Sequence, residues 1–351
     1  MKKRLWLLLI MLSAIVVMGI SGIFQQPETL PIVKNTPIEK PQLQPEPQNN
    51  HHLHKNIDIN NTFTPTVSAD QLLAHIQKLN FQRYTEKERS LSRTYITNQL
   101  QKYGWKPQIE TFPTGVNIFA QQQGTDKTAG AILIAAHYDT VNLSPGADDN
   151  ATGVAVVLEI ARLFADHPTP KTLQLAFFDK EEAGLLGSQA FVKQAARLKN
   201  IRGVIVMDMV GYACYTPGCQ QYPAGLPVTP PSDKGDFLAV VGDMEHLPLL
   251  NTFAVKNTNQ NLPAVLTLPI PFKGLLTPDT LRSDHAPFWY QGVGAVLVTD
   301  TANLRSPNYH QPNDLPKNIQ GSFFTGAAQI IVNSTTRLLE QPGFFTTPPA
   351  T

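Results

Sequence analysis

Five short segments of this 351-residue chain carry side chains that ligate metals or move protons. They are His137-Tyr138-Asp139, Gly146-Ala147-Asp148-Asp149-Asn150, Asp179-Lys180-Glu181-Glu182-Ala183-Gly184, Asp208-Met209-Val210-Gly211-Tyr212 and Tyr309-His310. Singly, each has a plain account. His137 reads as a strand-end imidazole satisfied by backbone, Asp148-Asp149 as a helix cap, and Glu181-Glu182 as a solvated pair at a helix start, where negative charge suits the dipole. Together those accounts fail, because independent solvated charges have no reason to sit at the ends of strands in one sheet. Crowding two imidazoles and several carboxylates onto one rim is costly, since like charges resist sharing a low-dielectric site. One or two divalent cations remove the conflict. Nitrogen and oxygen ligands without thiolates suit Zn2+, with Mn2+ or Co2+ as substitutes.

The elements that must position these segments are legible from periodicity. Short apolar runs rich in β-branched residues predict strands over 117–121, 131–136, 172–178, 203–207, 237–241 and 295–299. Amphipathic stretches predict helices over 69–79, 86–103, 150–166, 188–198, 245–256 and 320–339, the second stopped by Gly104. In the third, Val154, Val157, Leu158, Ala161 and Phe164 keep a helical period. Strands alternating with helices of this length imply an α/β domain with a mostly parallel sheet covered on both faces. Ligands of such sheets gather beyond the carboxyl ends of the strands, where the five segments fall.

Composition narrows the function classes. Lys and Arg number 28 against 27 Asp and Glu, a formal charge of +1, so there is no basic surface to release counterions from a nucleic acid. A hydrophobic fraction of 42% excludes a wholly disordered chain. Two cysteines are too few for a disulfide scaffold or a thiolate metal cluster. Residues 1–4 are a basic start and 5–24 an uncharged apolar run long enough to span a bilayer, which reads as a signal anchor in preference to a cleaved signal peptide. Residues 25–66 form a Pro/Gln/Asn-rich linker, 67–343 the folded domain, and 344–351 a tail. The expectation is export, with the domain outside the cytoplasm, membrane-anchored or secreted. His51, His52 and His54 in the linker read as part of a solvated polar tract.

The ordered motifs also carry a resemblance. His137-x-Asp139, Gly146-Ala147-Asp148-Asp149-Asn150-x-x-Gly153, Glu181-Glu182-x-Gly184, Asp208 and Tyr309-His310 resemble the successive motifs of the M28 family of zinc peptidases, of the co-catalytic di-zinc aminopeptidase type. The resemblance implies a phosphorylase/hydrolase-like three-layer α/β/α sandwich with a mostly parallel, mixed central sheet. It also implies cleavage of peptide bonds, one residue at a time from the amino end, with two zinc ions per chain. Carried over by position, Asp148 would bridge both metals. His137 and Asp208 would complete one site, and Glu182 and His310 the other. Glu181 would be the general base toward the bridging water, and Asp139 would accept the second N–H of His137 and fix its ring. Asp149 would be held with Asp148 in a strained turn containing a cis peptide.

Further residues are weaker candidates. Ser283-Asp284-His285 opens a helix, so either Asp284 and His285 support the ligands or Ser283 or Asp284 simply caps that helix. Met209, Tyr212, Phe288 and Tyr309 flank the motifs and are candidates for the wall of a side-chain pocket, although such residues are more often core. In an exported domain, Cys214 and Cys219 are expected to form a disulfide clipping a Pro/Gly-rich loop that borders the cleft. Peptides are the expected partners, with the membrane engaged through residues 5–24 if that segment is uncleaved. Two alternatives stand: a one-zinc glutaminyl-peptide cyclotransferase of the same fold, disfavoured by Tyr309 where those enzymes commonly place tryptophan, and an inactive tethered ectodomain, disfavoured because every expected position is filled.

Overall fold

The computed structural model describes residues 63–223, 232–254 and 262–341. The expected anchor, the linker histidines and the tail lie outside the described residues. Among those described, no helix is long and apolar enough to cross a membrane.

Two helices come first. Helix α1 (Ala69–Leu79) is capped by Ser68, which accepts the Gln71 N–H. Helix α2 (Glu86–Lys102) opens with a reciprocal Thr85/Glu88 capping box and gives way to Gly104 at φ +82°. The remaining elements alternate: β1 (Gln108–Phe112), β2 (Gly115–Gln122), β3 (Ala131–His137), α3 (Ala151–Leu163), β4 (Thr172–Phe178), α4 (Leu186–Val192), α5 (Ala195–Leu198) and β5 (Ile201–Met207). Then follow β6 (Phe237–Asp243), α6 (Leu247–Asn251), β7 (Ala264–Ile270), α7 (Ala286–Tyr290), β8 (Ala295–Thr299) and α8 (Gly321–Glu340).

The strands form one eight-stranded mixed sheet in the order β1-β2-β4-β3-β5-β8-β6-β7. Its centre, β4-β3-β5-β8, is parallel, while β1, β2 and the β6–β8 pairing are antiparallel. Side chains of a strand alternate between faces. In β3, Ile132, Ile134 and Ala136 join one core with α1, α2, α3 and α8, whereas Leu133 and Ala135 join a second with Phe191, Phe288 and Trp289 of α4 and α7. This is a three-layer α/β/α sandwich, as expected. Parallel register brings the strand ends level: His137 lies opposite Phe178, Ala136 opposite Met207, and Met207 opposite Val298. The next residues along each strand therefore reach the same rim.

Several expectations need correction. The edge strands β1 and β7 had no counterpart in the periodicity. The helix expected over 188–198 is two helices, α4 and α5, interrupted at Lys193 and Gln194. The described part of that expected over 245–256, up to residue 254, is a 3-10 turn (Met244–His246) followed by the five residues of α6. The folded domain also begins before residue 67. Phe63 stacks on His167 with ring centroids 3.6 Å apart, and the Pro65 carbonyl accepts a hydrogen bond from Gln329.

Candidate metal centre

The structure brings His137, Asp149 and Asp208 into one group, and Asp149, Glu182 and His310 into a second. His137 Nε2 stands 3.4 Å from Asp149 Oδ1 and 3.6 Å from Asp208 Oδ1. His310 Nε2 stands 3.2 Å from Asp149 Oδ2 and 3.0 Å from Glu182 Oε2. Asp149 thus offers one oxygen to each group. This corrects the expectation that Asp148 is the bridge. Asp148 turns away: its Oδ1 accepts N–H bonds from Gly211 at 2.9 Å and the hydroxyl of Thr152 at 3.1 Å. The cis peptide also lies one residue later than expected, between Asp149 and Asn150.

The loop carrying Asp149 is fixed from several sides. Asp314 receives the Asp148 N–H on Oδ1 at 2.9 Å and the Asp149 N–H on Oδ2 at 3.0 Å. Arg83, fully buried, donates to the carbonyls of Tyr138, Pro145 and Gly146 at 2.7–2.8 Å, and to that of Asp149 at 3.4 Å. Gly146, at φ +63°, makes this approach possible, because a Cβ there would lie 2.3 Å from the Asp149 oxygen and 2.6 Å from the Arg83 guanidinium. Asn150 caps α3 by accepting the Gly153 N–H and donates to the Met207 carbonyl, tying the loop to the end of β5. Lys180, Met209 and His310 adopt left-handed backbone, at φ +61°, +54° and +58°, turning the chain at or beside three of the ligand segments.

Glu181 belongs to neither group. Its Oε2 approaches His137 Nε2 at 4.0 Å, and the side chain is buried. Asp139 holds the segment in place, its Oδ1 accepting the Glu181 N–H at 3.0 Å and its Oδ2 the Glu182 N–H at 3.3 Å. The same Oδ1 lies 3.5 Å from His137 Nδ1, on the far side of the ring from the ligand atoms. That distance is an ion-pair contact longer than an ordinary hydrogen bond. Asp139 thereby connects His137 to both glutamates.

The electrostatics measure how much like charge is gathered here. Burial, reinforced by Asp208, Asp284 and Glu182, holds the Glu181 carboxyl well above its ordinary range, against the pull of His137. Burial and the neighbouring Asp149 push Glu182 up to about 7. Burial by itself would lower both imidazoles. The surrounding carboxylates instead raise His137 well above its usual value and His310 to about 10. Asp149, facing both rings, is held low despite its burial.

Divalent cations fit this arrangement. Glu182 Oε1 is buried without a hydrogen-bond partner, and the His137 Nε2 contacts to Asp149 and Asp208 exceed normal hydrogen-bond length. Tetrahedral ligands at about 2.0–2.1 Å from a zinc ion stand roughly 3.3–3.5 Å from one another, close to the observed spacing. A hard or borderline cation also replaces the protons that the carboxylates otherwise draw onto the rings.

The remaining candidates separate clearly. Asp284 is buried beneath the rim, accepts the Ser188 hydroxyl at 2.5 Å, and is raised to about 7 by burial. His285 Nε2 contacts the Thr280 carbonyl at 2.8 Å, and burial lowers the ring to about 4. Both lie outside the two ligand groups. Phe288 is not a pocket wall: it is fully buried among Phe178 and Phe191 beneath the sheet. Met209 is likewise buried, and Tyr212 is half-buried without lining the pockets beside the centre. Tyr309 does line both of them and stacks on His310 at 3.7 Å.

One of these pockets, of about 270 Å3, is bounded by Asp149, Glu181, Glu182, Asp208 and His310. The other, of about 150 Å3, shares Asp208, Arg282 and Tyr309 and is walled by Phe237, Ala239, Val241, Leu266, Leu268 and Leu297. Cys214 and Cys219 are joined in a disulfide, and the residues just after them, Gln220 to Pro223, border this apolar pocket. Periodicity did not point to Arg83, Asp300, Asp314 or the apolar pocket. Asp300 alone had a signal, an aspartate directly after a strand, and its Oδ2 accepts the Tyr212 N–H at 2.8 Å.

Residues 117–231 match the model of peptidase family M28, which bears out the resemblance read from the motifs. Over 196 residues the chain is 35% identical to the uncharacterized protein YfbL of Escherichia coli (strain K12), covering 52% of this chain and 59% of that protein. Aminopeptidase YwaD of Bacillus subtilis (strain 168) is 32% identical over 155 residues, which cover 42% of this chain and 31% of that protein. The chain therefore spans less than two thirds of the length of either relative. Among solved structures, the aminopeptidase from Aneurinibacillus sp. strain AM-1 superposes with a TM-score of 0.61 at 16% identity, covering 82% of this chain and 98% of that one. The Macrostomum lignano glutaminyl cyclase superposes at 0.58 with 18% identity, covering 78% and 91%. At such identities the likeness is one of fold, and it does not separate the two activities.

Proposed function

Starting from residues 117–231 as the core of an M28 peptidase, we propose that this chain is a zinc aminopeptidase that removes an apolar residue from the amino end of a peptide. The observation that carries this reading is the division of labour among the carboxylates. Asp149 serves two ligand groups, Asp208 and Glu182 one each, and Glu181 neither. His137, Asp149 and Asp208 would hold one cation, and Asp149, Glu182 and His310 the other. When bound, such a pair supplies Lewis-acid stabilisation of the charge developing on the scissile carbonyl and lowers the pKa of water toward roughly 7.

The chain's own groups do the rest. Glu181 takes a proton from the attacking water as the new C–O bond forms, and returns one to the leaving nitrogen as the C–N bond breaks. Asp139 keeps His137 and the Glu181–Glu182 backbone in register with each other. Carboxylates at the rim suit the substrate's terminal ammonium, and the adjoining apolar pocket suits its first side chain.

The test is a peptide panel read by mass spectrometry with zinc and after chelation. It includes Leu-Gly-Phe, Lys-Gly-Phe and an N-terminal Gln peptide. Release of Leu ahead of Lys, abolished by chelation, is the expected result. Release of Phe first would reverse the direction of cleavage, and loss of ammonia from the Gln peptide alone would replace the peptidase with a cyclase.

A further inference from the structure

Among the described residues lining the two pockets, one bears a guanidinium or ammonium group: Arg282, on the wall common to both. The side chain is exposed yet held in place. Its Nη1 donates to Asn303 Oδ1 at 3.0 Å and its Nη2 to the Tyr309 hydroxyl at 3.1 Å, with Cζ 5.9 Å from the centre of the Tyr309 ring. That ring stacks on His310, whose Nε2 lies 3.0 Å from Glu182. The guanidinium is therefore one aromatic layer away from a ligand imidazole. Among the described residues, no carboxylate pairs with it; the arginine and lysine ion pairs involve Arg89, Arg93, Arg162, Arg197 and Lys273. Two of its five N–H groups are used in holding it, which leaves donors for an incoming group.

We propose that Arg282 recognises a carboxylate on the leaving side of the substrate, and so biases the site toward dipeptides or toward peptides with an acidic second residue. This rests on the aminopeptidase reading above. A fixed, unpaired guanidinium repels an ammonium and matches the fork geometry of a carboxylate. The placement fits as well. A sphere of the cavity's volume, about 270 Å3, would be about 8 Å across, and two residues of extended backbone span about 7 Å. With the substrate's amine at the carboxylate end, a terminal carboxylate one residue beyond the scissile bond comes within reach of the Arg282 wall. Pre-organisation by Asn303 and Tyr309 means that little side-chain freedom is lost on binding.

The test compares kcat/KM of the zinc-loaded chain for Leu-Gly against Leu-Gly-NH2, and for Leu-Asp-NH2 against Leu-Asn-NH2. The first pair isolates a terminal carboxylate and the second a side-chain one. A preference of roughly ten- to hundredfold for the acid in at least one pair is expected, carried mostly by KM, as befits a charged hydrogen bond. In Arg282→Gln, which keeps a donor for Tyr309 or Asn303, the ratio should fall toward one. Equal treatment of acid and amide by the native chain overturns the proposal, and so does a ratio that survives Arg282→Gln. Calorimetric binding of Leu-Gly and Leu-Gly-NH2 to the zinc-loaded Glu181→Gln variant reads the same discrimination without turnover. Absence of hydrolysis then counts against the aminopeptidase reading alone, while absence of discrimination in binding counts against Arg282.

Discussion

Asp148 and Asp149 are adjacent and chemically identical, yet their side chains leave the loop in different directions. Asp149 faces two imidazoles; Asp148 faces the backbone of Gly211 and the hydroxyl of Thr152. Substituting Asp149→Asn removes a charge from both ligand groups, so zinc content measured by elemental analysis should fall for both sites. Asp148→Asn keeps an acceptor for Gly211 and should retain zinc, at a stability cost of roughly 1–2 kcal/mol read by denaturant titration. The opposite pattern would return the bridge to Asp148. Glu181→Gln should keep its metal and lose about 10²- to 10⁴-fold in kcat, the usual contribution of a positioned acid–base group. Near-normal turnover would remove Glu181 from that role. The ligand segments were legible in the sequence because His, Asp and Glu recur just past apolar runs. Which of two successive aspartates faces the centre was not, since motif spacing does not record side-chain direction. Phe288 and Met209 illustrate the same limit: closeness to a motif along the chain suggested a pocket wall, whereas Phe288 packs beneath the sheet and the Met209 side chain is buried.

At the scale of elements, central strands were the most legible. β4 and β8 span the residues expected of them, because, largely buried on both faces, they are mostly apolar runs, interrupted in β4 by Gln174. The edge strands β1 and β7 escaped notice for the converse reason. Gln108–Phe112 is largely exposed, and Ala264–Ile270 is partly exposed and contains Pro269, so neither has a fully buried pattern. The pairing of α1 and α2 carries a prediction of its own. His75 on α1 is buried and its Nδ1 meets the Tyr95 hydroxyl of α2 at 2.7 Å. Burial lowers the ring to about 4; Glu159 on α3 opposes this, while Lys102 and Arg162 add to it. A folded pKa below the unfolded value of about 6.5 means that the unfolded chain binds the proton first as pH falls. Stability is therefore full above about pH 6.5, declines toward pH 4, and then levels off, losing up to roughly 3 kcal/mol from this group. Denaturant midpoints at pH 7.5, 6.0 and 5.0 should fall more steeply for the native chain than for His75→Gln. Parallel curves would mean that His75 is protonated in the fold or is not the group responsible.

At the scale of the whole molecule, the candidate ligands span His137 to His310 and sit at the end of β3 or on the segments beyond separate strands, brought level by the parallel register of β3, β4, β5 and β8. A cation bound among them would join segments that are otherwise held near one another by strand pairing and by groups such as Asp314 and Arg83. It would also offset the burial and the carboxylate repulsion that together raise Glu181 and Glu182, an unfavourable term of the metal-free fold. Cation binding and folding are thus thermodynamically linked. With free zinc at a hundredfold excess over its dissociation constant, the folded state gains about 2.7 kcal/mol, and at roughly 2–4 °C per kcal/mol for a chain of this order the midpoint rises by about 5–10 °C. Scanning calorimetry of the purified chain, stripped by chelation and then reloaded, should move by that amount and reversibly. Asp149→Asn, which lacks the shared ligand, should show little shift on addition of zinc while melting cooperatively on its own. A midpoint indifferent to zinc in the native chain, with binding verified by elemental analysis, would mean that the rim is already rigid without its cations. The parallel sheet, and not the metal, would then set the geometry of the centre.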